Sequence, residues 1–334
     1  MRIGLGFIGL WIPPREIVRL SQEAEARGFD SVWLAEDTWF TGRDAVSVLG
    51  ALAWATERIT LGTAILPVHH NRHLLLLAAT IASLDDLARG RLILGLGLGM
   101  RWPSYPAGAK PLTLMREAVE GLRALLAGAA VEHRGRMLRL QFPEGPVCWE
   151  PVPPLRSRIP IYVAARGPKM TQLACRLGDG LVLPLHTPPA VIRGRRAVLD
   201  AEALAGGRPP EELDLVANLH LCVTADGAIP DRLRAQVAGV LCSPDLTDEM
   251  LGAAGLDLER VAAIRARMAA DGRGAAAELV TPPMVDEFCV AGSLERCVEL
   301  LGRYKAAGLK RAVLYPLGGE PDLALSLARA YVES

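Results

Sequence analysis

The sequence predicts an α/β fold, a (β/α)8 TIM barrel, and three observations carry that expectation. Strand-like and helix-like patterns alternate along nearly the whole chain. The strand segments are short and apolar, as in a parallel sheet covered on both faces. Eight such segments fit into 334 residues, enough to close a barrel with chain to spare. The spare chain implies insertions after strand 4, before strand 5 and after strand 7, at about 100–110, 131–158 and 230–290. All of 1–334 then forms a single domain. A doubly wound open sheet is the alternative with the same alternation.

The elements follow in order. RIGLGFI (2–8) is a buried strand, and a helix runs from Pro14 to Arg27, stopped by Gly28. SVWLAE (31–36) is a strand, 44–56 a helix, and RITLGTAIL (58–66) a continuous strand. The helix over 72–88 takes Asn71 as its cap and Arg89-Gly90 as its stop. RLILGLGLG (91–99) is a strand and 111–127 a helix. VEHRGRMLRL (131–140) reads as a hairpin turning at Arg134-Gly135, and the proline-rich PVPPLRSRIP (151–160) as a surface crossing. IYVAA (161–165), a helix at 168–177, GLVLPL (180–185), a helix at 188–204 and LDLVANLHLCV (213–223) restore the rhythm. Segment 230–290 is helix-rich; a helix at 294–307, RAVLYP (311–316) and a helix at 321–331 close the chain.

Composition narrows the function. Lysine plus arginine equals aspartate plus glutamate, at 37 each, which gives no electrostatic case for nucleic acid or an acidic membrane. The six cysteines form no C-x-x-C pair, so they read as reduced thiols of a cytoplasmic protein. MRIGLGFIGLWIPPR lacks the basic region and cleavage pattern of a signal peptide, and LLLLAATIASL (74–84) is too short to span a membrane.

Gly4-x-Gly6-x-x-Gly9 matches a dinucleotide-binding fingerprint in letters only. That motif needs its glycines between strand and helix, whereas these lie inside the strand and the helix waits for Pro13 or Pro14. The better reading is a barrel strand whose small residues leave room inside. Gly95-x-Gly97-x-Gly99 repeats the theme on strand 4, where glycine lets a flat ligand approach the backbone.

Barrel active sites lie at the C-terminal strand ends. Those ends carry Phe7, Ile8 and Trp11; Glu36, Asp37 and Trp39; Ala64, Ile65, His69 and His70; Gly99, Met100, Trp102 and Tyr105; Arg166 to Lys169; and His186. An aromatic mouth with few polar groups suits a flat heteroaromatic ligand. Glu36 and Asp37 are either an acid/base pair or loop carboxylates capping the next helix. HHNRH (69–73) is a polar loop or a ligand contact rather than a metal site, because the Asn71 cap spoils a shared face for His69 and His73 and no Cys or carboxylate completes a set. AARGPKM (164–170) is the strongest anion site: Pro168 opens a helix, and the N–H groups of Arg166, Gly167, Lys169 and Met170 face outward beside two cations. An ordinary βα turn is the plainer reading of the same residues.

GFDSVWLAED (28–37), RITLGTAIL (58–66) with Arg72, SLDDLARGRLILGLGLG (83–99), IPIYVAARGPKM (159–170), LGDGLVLP (177–184) and AGSLERCVELLGRYKAAGLKRAVLYP (291–316) together resemble the bacterial luciferase-like superfamily of flavin- and deazaflavin-dependent oxidoreductases. The resemblance is to its methylenetetrahydromethanopterin reductase-like branch. It implies a barrel binding coenzyme F420, or alternatively FMN, across the strand ends. It further implies a non-prolyl cis peptide at Ala64–Ile65 behind the ring, a phosphate on Arg166, Gly167, Lys169 and Met170, and Gly99 at the ring edge. Phe7 joins these as a cofactor contact. Many relatives carry histidine at 37, where this chain has Asp37; the sugar-phosphate dehydrogenases have glutamate at 100 and asparagine at 103, where it has Met100 and Pro103.

The implied function is F420-dependent hydride transfer to or from a small organic substrate. Glu36, Asp37, His69 and His70 are then the proton handlers, and Trp39, Trp102, Tyr105 and His186 the substrate walls. The alternatives are a reduced-FMN monooxygenase and a non-catalytic flavin-binding protein. A homodimer through helices two and three is expected.

Overall fold

A computed structural model describes residues 1–8, 12–36, 44–68, 72–99, 108, 110–128, 133–135, 139–140, 156, 158–243 and 246–334. Eight parallel strands close into a barrel: β1 (Arg2–Ile8), β2 (Ser31–Ala35), β3 (Thr60–Thr63), β4 (Leu92–Gly97), β5 (Ile161–Ala164), β6 (Gly180–Leu183), β7 (Asp214–Val223) and β8 (Arg311–Pro316). Pairing runs in that order, and β8 returns to β1 with Arg311 opposite Arg2. The helices that cover it include α1 (Pro14–Ala26), α2 (Ala45–Ala55), α3 (Leu74–Leu87), α4 (Pro111–Leu126), α5 (Pro168–Leu177) and α6 (Pro189–Ala205). The expected barrel is therefore the fold, and the open sheet is excluded by closure.

After β7 the chain builds four helices, α7 (Asp231–Leu241), α8 (Asp248–Ala253), α9 (Leu258–Ala277) and α10 (Pro282–Phe288), around their own apolar cluster of Leu233, Leu251, Ile264 and Phe288. Cys289–Gly292, not singled out in the sequence, pairs as an added parallel strand with the end of β7. α11 (Leu294–Ala306) and α12 (Pro321–Glu333) flank β8.

Period-two alternation divides each strand between two cores. On β1, Ile3, Leu5 and Phe7 point outward into the layer packed under the helices, while Ile8 packs into the interior cluster with Trp33, Ile93, Tyr162, Val182, Val216, Val313 and Tyr315. The glycines of the first strand make room for that interior. A Cβ on Gly6 would sit 2.6 Å from the Tyr315 ring, and one on Gly62 would sit 2.3 Å from the Trp33 ring. Gly4 and Gly6 thus serve packing inside the barrel.

The N-terminal end of the barrel is closed by polar groups. Asp214 accepts from Arg2 at 2.7 Å and from Tyr162 at 2.9 Å, and Arg311 donates to Ser31 at 2.8 Å. Trp33 also donates to Ser31, and Arg311 lies 5.7 Å from the Trp33 ring centre. Burial, reinforced by Arg2, lowers the Arg311 pKa to about 9. The ion-paired floor leaves the opposite end of the barrel for ligands.

Three local expectations are corrected. The third strand is not continuous from 58 to 66: pairing with β4 stops at Gly62 opposite Ile93 and resumes at Leu66 opposite Leu96. Four residues on one side thus match three on the other, which is a bulge. Helix α3 is capped by His73, whose Nδ1 accepts from the Leu75 N–H at 3.3 Å, not by Asn71. In the hairpin, Arg134 still pairs with Arg139, so the strand ends at Arg134 and the turn begins at Gly135.

Candidate active site

The bulge at the end of β3 shapes one wall of the barrel mouth. Thr63 repairs the interrupted ladder with its side chain: Oγ1 donates to the Gly95 carbonyl and accepts from the Gly95 N–H, both at 2.8 Å. The Ala64–Ile65 peptide is cis. Ala64 donates to Leu34 at 2.9 Å, and the Ile65 carbonyl accepts from the Glu36 N–H at 3.3 Å. The close approach requires glycine on β4. A Cβ on Gly95 would lie 1.9 Å from the Thr63 carbonyl oxygen, and one on Gly97 would lie 2.7 Å from Ile65 Cδ1. Gly99, exposed just past β4, has φ +62°, a left-handed turn that suits glycine.

Glu36 sits beside the bulge as the sequence placed it, but its carboxylate is engaged. Arg72 donates to it at 2.6 Å and also pairs with Asp44, the N-cap of α2. One guanidinium thus ties the end of β2 to the starts of α2 and α3. The pair gives Glu36 an anchoring role, where the sequence offered an acid/base role or a helix cap.

The N-terminus of α5 forms a second feature. Gly167 is the N-cap without a side-chain cap bond, and Pro168 opens the helix. Helix geometry leaves the N–H groups of Lys169 and Met170 without intrahelical acceptors. Arg166 and Lys169 are exposed, whereas the Met170 side chain packs against the outer core. Arg195 from α6, not singled out in the sequence, donates to the Arg166 carbonyl at 2.5 Å. It brings a third cation to this helix end, and burial lowers its pKa.

Across the mouth lies a polar cluster. His186, just past β6 with φ +67°, stacks edge-on against His220 of β7, with ring centres 4.6 Å apart. Asn218 and Tyr315 join them on β7 and β8, and all four residues are buried. Asn218 donates to the Leu183 carbonyl at 3.3 Å, but its Oδ1 has no partner. Neither do His186 Nε2, Tyr315 Oη or the two ring nitrogens of His220. Burial lowers the His220 pKa to about 4, only weakly offset by the Tyr315 backbone. Burial and then His220 hold His186 well below the ordinary histidine range.

Of the expected site residues, Ala64, Ile65 and Gly99 gather at the bulged wall, Arg166, Gly167, Lys169 and Met170 at the α5 terminus, and His186 in the polar cluster. Phe7 is a correction: strand alternation turns it outward among the helices, and Ile8 takes the interior place. Asp37, Trp39, His69, His70, Trp102 and Tyr105 lie outside the described residues. Asn218, His220 and Tyr315 were missed. LDLVANLHLCV carried a signal for two of them: Asn218 and His220 are polar at a spacing of two in a strand whose one other polar residue is Asp214, hence on one face.

The sequence matches the luciferase-like monooxygenase family over residues 6–311. The chain belongs to this family. Its relatives include the 5,10-methylenetetrahydromethanopterin reductase of Archaeoglobus fulgidus, 30% identical over 91% of this chain and 90% of that protein. The F420-dependent glucose-6-phosphate dehydrogenase of Beutenbergia cavernae is 34% identical over 54% of this chain and 56% of its own length. Among solved structures, the coenzyme F420-dependent tetrahydromethanopterin reductase of Methanopyrus kandleri superposes with a TM-score of 0.85, at 24% identity, covering 99% of this luciferase-like chain and 98% of that one. That superposition confirms the barrel.

Proposed function

We propose that this chain is a coenzyme F420-dependent oxidoreductase acting on a small organic substrate at the barrel mouth. The observation that carries the reading is a flat, glycine-cleared wall and a cationic helix N-terminus at the same barrel end. Gly95 and Gly97 leave no room for a Cβ, so the backbone of the bulge itself faces the mouth. Such a surface fits a planar ring system, and the α5 terminus with Arg166, Lys169 and Arg195 fits that ring system's phosphate. When bound, the coenzyme supplies a ring carbon that gives or accepts a hydride.

The chain's residues bind and orient. Ala64 and Ile65 back the ring, Gly99 leaves its edge open, and the α5 amides hold the phosphate. Glu36 keeps Arg72 in place and so positions the bulge. His186 faces the substrate. Asp37, His69 and His70 remain the candidates for proton transfer, with Trp39, Trp102 and Tyr105 as substrate walls.

Titration of the apoprotein with oxidised F420 and with FMN, followed by fluorescence, tests this. Saturable binding of F420 in preference to FMN is expected, with Lys169→Ala and Arg195→Ala weakening it. A preference for FMN would move the chain to oxygen chemistry, and binding of neither would return it to a non-catalytic role.

A homodimer forms through α2 and α3. Helix α2 carries no charged residue, and its Trp54 is 84% exposed; Leu76 and Leu87 of α3 are exposed nearby in sequence order. A helix apolar on all sides needs a cover, and a second copy supplies it. No described helix is long and apolar enough to cross a membrane, and a cytoplasmic location fits the free cysteines among the described residues.

A further inference from the structure

In a ring of eight strands, β7 stands opposite β3, so the polar cluster faces the bulged wall across the mouth. Its unpartnered groups need a reason. A buried polar atom without a hydrogen bond costs about 1–3 kcal/mol, and five such atoms lie here together, on His186, Asn218, His220 and Tyr315. At the floor of the barrel, Tyr162 and Asp214 Oδ2 bond each other, although Asp214 Oδ1 has no partner. Among the described residues, the ligand end gathers five such atoms in one cluster.

We infer that His186, Asn218, His220 and Tyr315 form the substrate-recognition subsite, and that it takes an uncharged head bearing hydroxyl, carbonyl or amide groups rather than a phosphate or carboxylate. This rests on the proposed oxidoreductase reading and names the substrate class for that site. Asn218 Oδ1 accepts only, the Tyr315 hydroxyl gives or accepts, the neutral His220 ring offers one donor and one acceptor, and His186 presents Nε2. The set therefore matches a head that carries both kinds of group. It does not match an anion. Among the described residues, the apolar side chains clustered at this end of the interior are Ile8, Ala35, Ala64, Ile65, Ala164 and Leu185, and the Arg72 guanidinium beside the bulge is already matched by Glu36 and Asp44. Burial also keeps both imidazoles neutral at pH 7. An anion buried there would lack a counter-charge, which is among the costliest arrangements in a protein interior. Among the described residues, the other cations of this barrel end stand at the α5 terminus.

The test uses protein labelled with 15N-histidine and loaded with F420. The probes are pairs matched except for charge: lactamide and lactate, glycerol and glycerol 3-phosphate, glucose and glucose 6-phosphate. The imidazole nitrogens of His186 and His220 report contact directly, without turnover. The expected result is that uncharged members shift both rings and charged partners do not. His220→Phe should then weaken binding of the uncharged members about tenfold, the loss of one well-made hydrogen bond. Asn218→Leu should do the same, and F420 fluorescence should titrate unchanged in both variants. Equal or larger shifts with the charged members overturn the inference, as does the absence of any shift with every probe at its solubility limit. The titration is read separately from the ring shifts: failure to bind F420 defeats the oxidoreductase reading, whereas F420 binding with indifferent rings defeats this one alone.

Discussion

Single side chains at the barrel mouth are held by distances that leave little tolerance. Gly95→Ala would drive a Cβ to 1.9 Å from the Thr63 carbonyl oxygen, a backbone atom that cannot swing away. The expected cost is about 1–3 kcal/mol of stability, read by urea denaturation, together with weaker F420 binding. His220 makes a second prediction. Its ring is neutral in both states above about pH 6.5, but below that an unfolded histidine gains a proton that the buried ring refuses until about pH 4. Stability should therefore fall as pH drops from 6.5 toward 4, by up to about 3 kcal/mol, and His186 adds to the same slope. His220→Phe removes one charging site and two orphaned nitrogens, so it should flatten the slope and leave stability at pH 7 equal or higher. Denaturation curves of both proteins at pH 7 and near pH 4.5 check this.

At the scale of elements, the decisive devices are the bulge after β3 and the guanidinium that braces it. Arg72 is largely buried and pairs with both Glu36 and Asp44, so Arg72→Ala strands two carboxylates at once. We expect a loss of about 2–4 kcal/mol and weaker cofactor binding, whereas Asp44→Ala, which removes the α2 cap, should cost about 1 kcal/mol. Arg72 was visible in the sequence beside RITLGTAIL, but its partners were not, because they lie 36 and 28 positions earlier in the chain. The bulge was invisible for a related reason. RITLGTAIL reads as an unbroken strand, and only the neighbouring β4, with glycines at 95 and 97, admits the extra residue. The α5 terminus was legible because its signal is local: a strand, then Arg-Gly-Pro-Lys, then a helical pattern.

The whole molecule adds closure and, as proposed, assembly. Closure sets β7 against β3 and so gathers a polar cluster from three strands spread over residues 186 to 315. The proposed dimer uses the face of α2 and α3: Trp54→Glu should then leave a monomer in light scattering at unchanged far-ultraviolet dichroism, since Trp54 is 84% exposed and contributes little to the fold of one chain.

The sequence by itself determined the barrel, its eight strands and most of the covering helices, and it singled out the turn before α5 that is proposed to hold an anion. Hydrophobic period, caps and glycine stops are read within a window of a few residues, and each of these features fits inside one. Only the tertiary structure decided that Phe7 turns away from the mouth, that Gly6 and Gly62 clear space for Tyr315 and Trp33, and that Glu36 is held by Arg72. It also decided that His186 meets Asn218, His220 and Tyr315. These outcomes depend on which face of one strand confronts which face of another, and that is settled when the barrel closes, through packing between residues far apart in the chain.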